Sequence, residues 1–376
     1  MSTFRHAHAG GGDWAEIVRD CARQLEPLPE GANLGFLYVT DALAEDLASI
    51  LTFLRQTSGV EEWVGTVGLG ICGGAQEYHD EPAAAALVGA FPENAFKVFP
   101  VLRGGLGDMP AAVRGWADAG AAPFAVAHGD PYNNRLPEIL EEAASGLSSF
   151  IVGGLTASRG SGPQIAGTIN EGGVQRGGVS GVLFGPEVQV ATGLSQGCAP
   201  VGEPRLVTEA EDNIIITIDG KPALDVMKDD IGELLARNLE RVAGYIHAAF
   251  PVPGSDTRDY LVRSLLGIDV ERGWVAVGGE VEAGDRVMFV RRDPISAEQD
   301  LADMVNGLKA RLPSEPKGGL YFSCVARGPD MFGAPGKEMA LIIERLGDIP
   351  LVGFYGNGEI SNARLYGYTG VLALFL

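Results

Sequence analysis

Apolar residues recur at helical spacing across 13–25, at Trp14, Ile17, Val18, Cys21 and Leu25, until Pro27 and Pro29 end the pattern. An opening amphipathic helix is predicted. A short apolar run at 33–39 follows, then Asp41 as the N-cap of a helix reaching Arg55, then a second apolar run at 63–69 that meets glycines. This strand, helix, strand order occurs twice more, as 124–127, 134–144 and 150–152, and as 320–325, 337–346 and 350–355. The intervals 36–65, 124–153 and 322–353 are each about 30 residues, the length of one βαβ unit. The three units read as related copies.

Between the second and third units the pattern changes. Runs at 179–184 and 188–194 are joined by Gly185 and Pro186, which predicts a hairpin and antiparallel pairing. Residues 214–218 form another strand, with Asp219 and Gly220 as its turn. Residues 224–250 then carry the longest helical pattern of the chain. A domain boundary is placed near residue 220, giving a helix within 1–30, an N-terminal domain at 31–220 and a C-terminal domain at 221–376. The last part reads as strands at 261–268, 274–278 and 285–290, a helix at 296–312, the third unit and a final strand at 365–375. The expected fold is α/β: mixed sheets covered by helices, a layered sandwich of two packed halves.

Composition narrows the function. The chain has 376 residues, more than a single core usually serves, and its formal charge of −21 repels phosphate backbones and anionic membranes. Nucleic acid and membrane are therefore not expected partners. No apolar run approaches the roughly 18 residues of a spanning helix, and residues 1–12 lack the apolar core of a secretion signal, so a cytoplasmic location is expected. The four cysteines, Cys21, Cys72, Cys198 and Cys324, are widely separated with no C-x-x-C pair, which points to reduced thiols and to no thiolate metal site. Glycine, at 54 residues, far exceeds its usual share of about 7 per cent. In a chain that is 46% hydrophobic, this implies tight turns and close backbone approach.

Right-handed crossovers would open the strand ends of each unit at one edge, where α/β proteins take their ligands. The residues falling there are Thr40, Asp41, Gly70 and Cys72 in the first unit and His128, Asp130, Thr156 and Ser158 in the second. The third contributes Cys324, Arg327, Asn357 and Glu359. Asp41 and Asp130 can equally cap helices. Arg327 can grip a ligand carboxylate through two hydrogen bonds, or it can pair internally with Glu338 or Glu359. Cys198, between a strand and Pro200, is a packed thiol or a nucleophile.

Enzyme signatures fall short. The glycines at 68, 70 and 73 fit G-x-G-x-x-G but no helix follows directly, and at 331–338 Met331 and Glu338 replace the glycine and the hydroxyl of a phosphate loop. Thr156 to Gly160 lacks the first glycine of a nucleophile elbow. His6 and His8 lie in a terminus expected to be mobile, His79 in an acidic turn, and His247 on the predicted long helix. No closed metal site is built from them.

The segments 321–328 (Y-F-S-C-V-A-R-G) and 351–360 (L-V-G-F-Y-G-N-G-E-I), which include Tyr355, resemble the C-terminal half of the FIST sensory family. Residues 33–41, 63–74, 150–158, 196–202 and 219–224 resemble its N-terminal half. The resemblance implies a sensory protein of signal transduction that binds a small ligand, an amino acid or related carboxylate. One branch of the family is linked to haem and nitric oxide, so haem is an alternative cofactor, although none is predicted. The chain shows no kinase, cyclase, methyl-accepting or F-box segment, so its output is expected to pass to a separate signalling protein such as a kinase or cyclase. The alternatives carried forward are an enzyme with a cysteine nucleophile and a haem-based nitric oxide sensor.

Overall fold

The computed structural model describes residues 3–120, 122–167, 173–236, 239–242, 244–252 and 259–376. The chain packs as two compact units, one of Met1–Ser195 with Leu301–Leu376, the other of Gln196–Asp300.

In the larger unit one topology occurs three times. The first copy runs β1 (Phe4–Gly10), α1 (Trp14–Leu25), β2 (Leu34–Thr40), α2 (Leu47–Ser58), β3 (Glu62–Gly68), the hairpin β4 (Gly70–Gly73) and β5 (Gln76–His79), then β6 (Ala83–Gly89). The second runs β7 (Phe96–Leu102), α3 (Ala111–Gly120), β8 (Phe124–Gly129), α4 (Leu136–Leu147), β9 (Phe150–Leu155), the hairpin β10 (Gln164–Ala166) and β11 (Val174–Gln175), then β12 (Val179–Phe184). The third opens with β13 (Val190–Ser195).

The smaller unit then enters the chain. It holds β14 (Ala199–Pro200), β15 (Arg205–Glu211), β16 (Ile214–Ile218), β17 (Lys221–Pro222), α5 (Ala223–Ala236), α6 (Leu239–Val242), β18 (Ile246–Pro251), β19 (Tyr260–Asp269), β20 (Trp274–Val277) and β21 (Arg286–Arg291). The third copy resumes through α7 (Pro294–Lys309), β22 (Gly318–Cys324), α8 (Gly328–Phe332), α9 (Lys337–Leu346), β23 (Leu351–Gly356), the hairpin β24 (Glu359–Ser361) and β25 (Arg364–Tyr366), and β26 (Gly370–Phe375).

Each copy centres a six-stranded sheet on a parallel pair, β2 with β3, β8 with β9 and β22 with β23, flanked by antiparallel strands. The hairpin that follows each pair leaves for another copy's sheet. Thus β4 pairs with β23, β10 with β3 and β24 with β9, a cyclic exchange. The second strand of each pair carries a glycine opposite the same point of the first, Gly65 facing Leu37, Gly153 facing Ala127 and Gly353 facing Tyr321. A β-carbon added at these glycines would lie 1.8, 1.8 and 1.7 Å from the facing carbonyl oxygen, so no other residue fits.

Strand alternation divides the side chains. The inner faces of all three sheets meet in one core that includes Phe36, Phe124, Phe184, Phe322, Phe354 and Phe375. At its centre stand Tyr38, His128 and Phe322, the equivalent residues of the three first strands, with the Tyr38 hydroxyl 3.1 Å from His128 Nε2. Outer faces pack on helices, with Leu37, Val39 and Val67 under α1 and α2. Helix α1 starts where Asp13 accepts the Glu16 N–H and buries Ile17, Val18, Cys21 and Leu25, as its spacing predicts. In the smaller unit β15, β16, β20, β19, β18 and β21 pair in turn and β21 returns to β15, closing an antiparallel barrel around Val207, Ile215, Val275 and Phe289.

Four expectations are corrected. Strands β12 and β13 do not form a hairpin, because β12 pairs with β7 and β8 while β13 pairs with β26, so Gly185 and Pro186 carry the chain between sheets. The helix expected over 224–250 breaks at Gly232, whose φ of 78° is left-handed, and residues 246–251 are strand β18. His247 therefore lies on a strand; a buried apolar run has no periodicity that separates the two structures. The final strand at 365–375 is two strands in different sheets, divided at Gly367–Thr369. The N-terminal residues expected to be mobile form β1, paired along its length with β6.

Candidate functional site

The third copy departs from the other two in the layer between sheet and helices. Register makes Leu37, Ala127 and Tyr321 equivalent, likewise Val39, Gly129 and Ser323, and likewise Val67, Leu155 and Tyr355. Two copies fill these places with apolar or small residues and the third with three hydroxyls, all buried. Buried polar groups require partners, and Tyr321 and Ser323 find one in Glu338, at the start of α9. Its Oε1 accepts hydrogen bonds from Tyr321 Oη at 2.7 Å, Ser323 Oγ at 3.1 Å and Arg327 Nε at 2.7 Å, and its Oε2 accepts from the Gly328 N–H at 3.2 Å.

Arg327, 2% exposed, also reaches the Tyr368 carbonyl (3.4 Å), Ser195 Oγ (3.4 Å) and Tyr321 Oη (3.5 Å), and lies over the Phe332 ring. Of the two roles the sequence left open for Arg327, the internal pair with Glu338 is formed.

The exchanged hairpin brings a second set of groups from the first copy. Cys72 lies on β4, and Glu77 and His79 on β5; Glu77 accepts the Met339 N–H at 3.1 Å and meets His79 Nε2 at 3.3 Å. The His79 ring packs against Tyr355 with centroids 4.6 Å apart. The Tyr355 hydroxyl is buried without a hydrogen-bond partner among the described residues. Burial and the carboxylates of Glu338 and Glu77 push the Tyr355 phenol well above its usual range, and burial with Glu77 and Glu338 does the same to the Cys72 thiol.

Beside Arg327, Glu359 is fully buried. Its Oε2 accepts from the Thr369 N–H (3.2 Å) and hydroxyl (2.6 Å), while Oε1 has no partner among the described residues. Burial raises this carboxyl to about 8 against the pull of Thr369 and Arg327. Burial and Glu359 raise the neighbouring Cys324 thiol to about 12, the opposite of what activates a nucleophile.

Of the residues singled out in the sequence, Cys324, Arg327, Tyr355 and Glu359 are brought together with Cys72 and with Gly70, which pairs with Tyr355. The others lie elsewhere. His128 is in the central core, where burial lowers it to about 3. Thr156 is buried and shares a hydrogen bond of 2.7 Å with Thr66, Ser158 accepts the Gly160 N–H, and Asp130 turns the chain by accepting the Tyr132 N–H. Asn357 is exposed. Cys198 is buried in the smaller unit, its carbonyl accepting from the Tyr260 hydroxyl. Asp41 caps no helix and receives the Arg159 guanidinium.

Sequence reasoning passed over Tyr321, Ser323, Glu77 and Thr369. The signal for Tyr321 and Ser323 was polar residues alternating within an otherwise apolar run, weak without the register that aligns the copies, and Glu77 and Thr369 lie in segments with no such pattern. Among the described residues no helix is long and apolar enough to cross a membrane.

The sequence matches the family model of the FIST N domain over residues 33–221 and that of the FIST C domain over 223–362. Uncharacterized proteins from two strains of Mycobacterium tuberculosis are 33% identical to it over 91% of this chain and 90% of theirs. An uncharacterized protein of Mycobacterium bovis is 30% identical over 92% of this chain and 91% of its own.

Proposed function

Because the chain belongs to the FIST family, whose domains are sensory domains of signal transduction, we propose that it binds a small carboxylate-bearing metabolite, such as an amino acid, in the polar layer of its third copy. One observation carries this reading: at equivalent places two copies hold Leu37, Val39 and Val67 or Ala127, Gly129 and Leu155, and the third holds Tyr321, Ser323 and Tyr355. Fold alone does not require the change, since the first two copies fold without it. Polar layers cost stability unless fully satisfied, and the unpartnered Tyr355 hydroxyl is a cost that a ligand would offset.

Arg327 supports the choice of a carboxylate. Glu338 orients the guanidinium through Nε, and hydrogen bonds from Nη at 3.4 to 3.5 Å to Tyr368, Ser195 and Tyr321 are ones that a ligand carboxylate would replace with shorter, charge-assisted bonds. A thermal-shift screen of amino acids and small carboxylates tests the reading. At least one compound is expected to raise the melting temperature in proportion to the logarithm of its concentration, and Arg327→Lys to weaken its binding by about 1 to 3 kcal/mol. A flat response across the library contradicts it.

A further inference from the structure

The turn at Gly367–Thr369 joins β25 to β26 and is fastened to Glu359, Cys324 and Arg327. The Thr369 carbonyl accepts the Cys324 N–H at 3.0 Å, the Tyr368 carbonyl accepts from Arg327, the Tyr368 N–H points at the Cys324 thiol, and Thr369 holds Glu359 Oε2. Tyr368 has φ of 68°, a left-handed conformation that a bulky residue adopts only where the surroundings enforce it. A strained turn thus closes over a carboxyl that is 0% exposed and still has one oxygen, Oε1, without a partner among the described residues.

We infer that Glu359 Oε1 is the acceptor for an ammonium group of the bound metabolite. This rests on the ligand site proposed above and specifies a second group on its occupant. The surrounding charges favour a cation. The layer holds two carboxylates, Glu338 and Glu77, against the one guanidinium of Arg327, so a ligand carboxylate bound there calls for a cation on the same molecule. The groups facing Glu359 are Cys324 at the end of β22, Arg327 ahead of α8, Glu338 of α9, Tyr366 across the hairpin on β25, and Tyr368 with Thr369 in the turn. With its carboxyl raised to about 8, Glu359 is mostly protonated at neutral pH. Since Oε2 accepts two hydrogen bonds, the proton belongs on Oε1. An entering ammonium displaces that proton to solvent, so its binding strengthens as pH rises toward 8.

The test is a thermal-shift titration of the full chain with n-propylammonium chloride, sodium propionate and alanine at pH 6.5 and 8.5, repeated on Glu359→Gln. The variant mimics the protonated acid, and its unliganded melting temperature at pH 6.5 checks that the fold is kept. Expected are shifts with n-propylammonium and alanine that are several-fold larger in apparent affinity at pH 8.5, and that vanish in Glu359→Gln. A Glu359→Gln protein that responds like the parent overturns the inference, as does stabilisation by propionate with no response to n-propylammonium. In the latter case the carboxylate site stands without its ammonium partner. No response to any of the three overturns the inference as well, while the wider metabolite screen decides the site itself.

Discussion

Arg327 and Glu338 stand or fall together, because each is buried and each neutralises the other. Arg327→Ala leaves a carboxylate buried with only neutral donors, and the unliganded protein is expected to lose about 3 to 5 kcal/mol, read by chemical denaturation. A smaller loss than Arg327→Lys would place the charge near water. His128 and Tyr38 form another deeply buried polar pair, set among Phe322 and Phe354. Removing one partner strands the other, but Tyr38→Phe with His128→Phe makes the centre wholly aromatic and is expected to be neutral or stabilising at pH 7. The folded value of His128, about 3, lies below its unfolded one. Its contribution is therefore present above about 6.5 and lost as pH falls toward 3, so the double variant should gain on the parent at pH 5 in a melting experiment. Glu359 has the reverse sign. Its folded value of about 8 lies above the unfolded one, so its contribution is present below about 4.5 and lost as pH rises to 8, and Glu359→Gln should melt with a shallower decline over that range.

The elements pair because particular glycines let the parallel strands approach. Gly153→Ala and Gly353→Ala force a methyl group into the carbonyls of Ala127 and Tyr321 and are expected to cost about 3 to 5 kcal/mol each. Gly307→Ala, on α7 with open space around its added carbon, is expected to gain about 0.5 to 1 kcal/mol. Equal denaturation midpoints for the three variants would refute the close-approach argument. The three βαβ units were legible because their apolar runs are long and glycine-bounded, and helix 337–346 falls where its spacing places it. Strand pairing was not legible. Nothing within β4, β10 or β24 says that the hairpin after each pair joins a different sheet, since exchange is decided by the partner's open edge. The alanine-rich β6 and the strand after Gly232 escaped because neither has a periodicity that separates helix from strand.

Across the whole molecule, exchange explains why a site in the third copy includes Cys72, Glu77 and His79 of the first. Of the residues read from the sequence, Cys324, Arg327, Tyr355 and Glu359 fell into this site because they lie at or just beyond the C-terminal ends of the third parallel pair. His128, Asp130, Thr156 and Ser158 were grouped with them by the analogy between copies, yet their copy keeps that layer apolar. The central claim is that this layer is polar for a ligand's sake, and Tyr355→Phe isolates it by deleting one hydroxyl and nothing else. The decisive measurement is the melting temperature of the parent and of Tyr355→Phe, each with and without the strongest stabiliser found in the metabolite screen. Losing an unpartnered buried hydroxyl should leave the unliganded protein as stable as the parent or more so by up to about 1 to 3 kcal/mol, while most of the ligand-induced shift disappears. A variant that melts lower without ligand and keeps the full ligand shift would mean that the hydroxyl serves the fold, and would contradict the account.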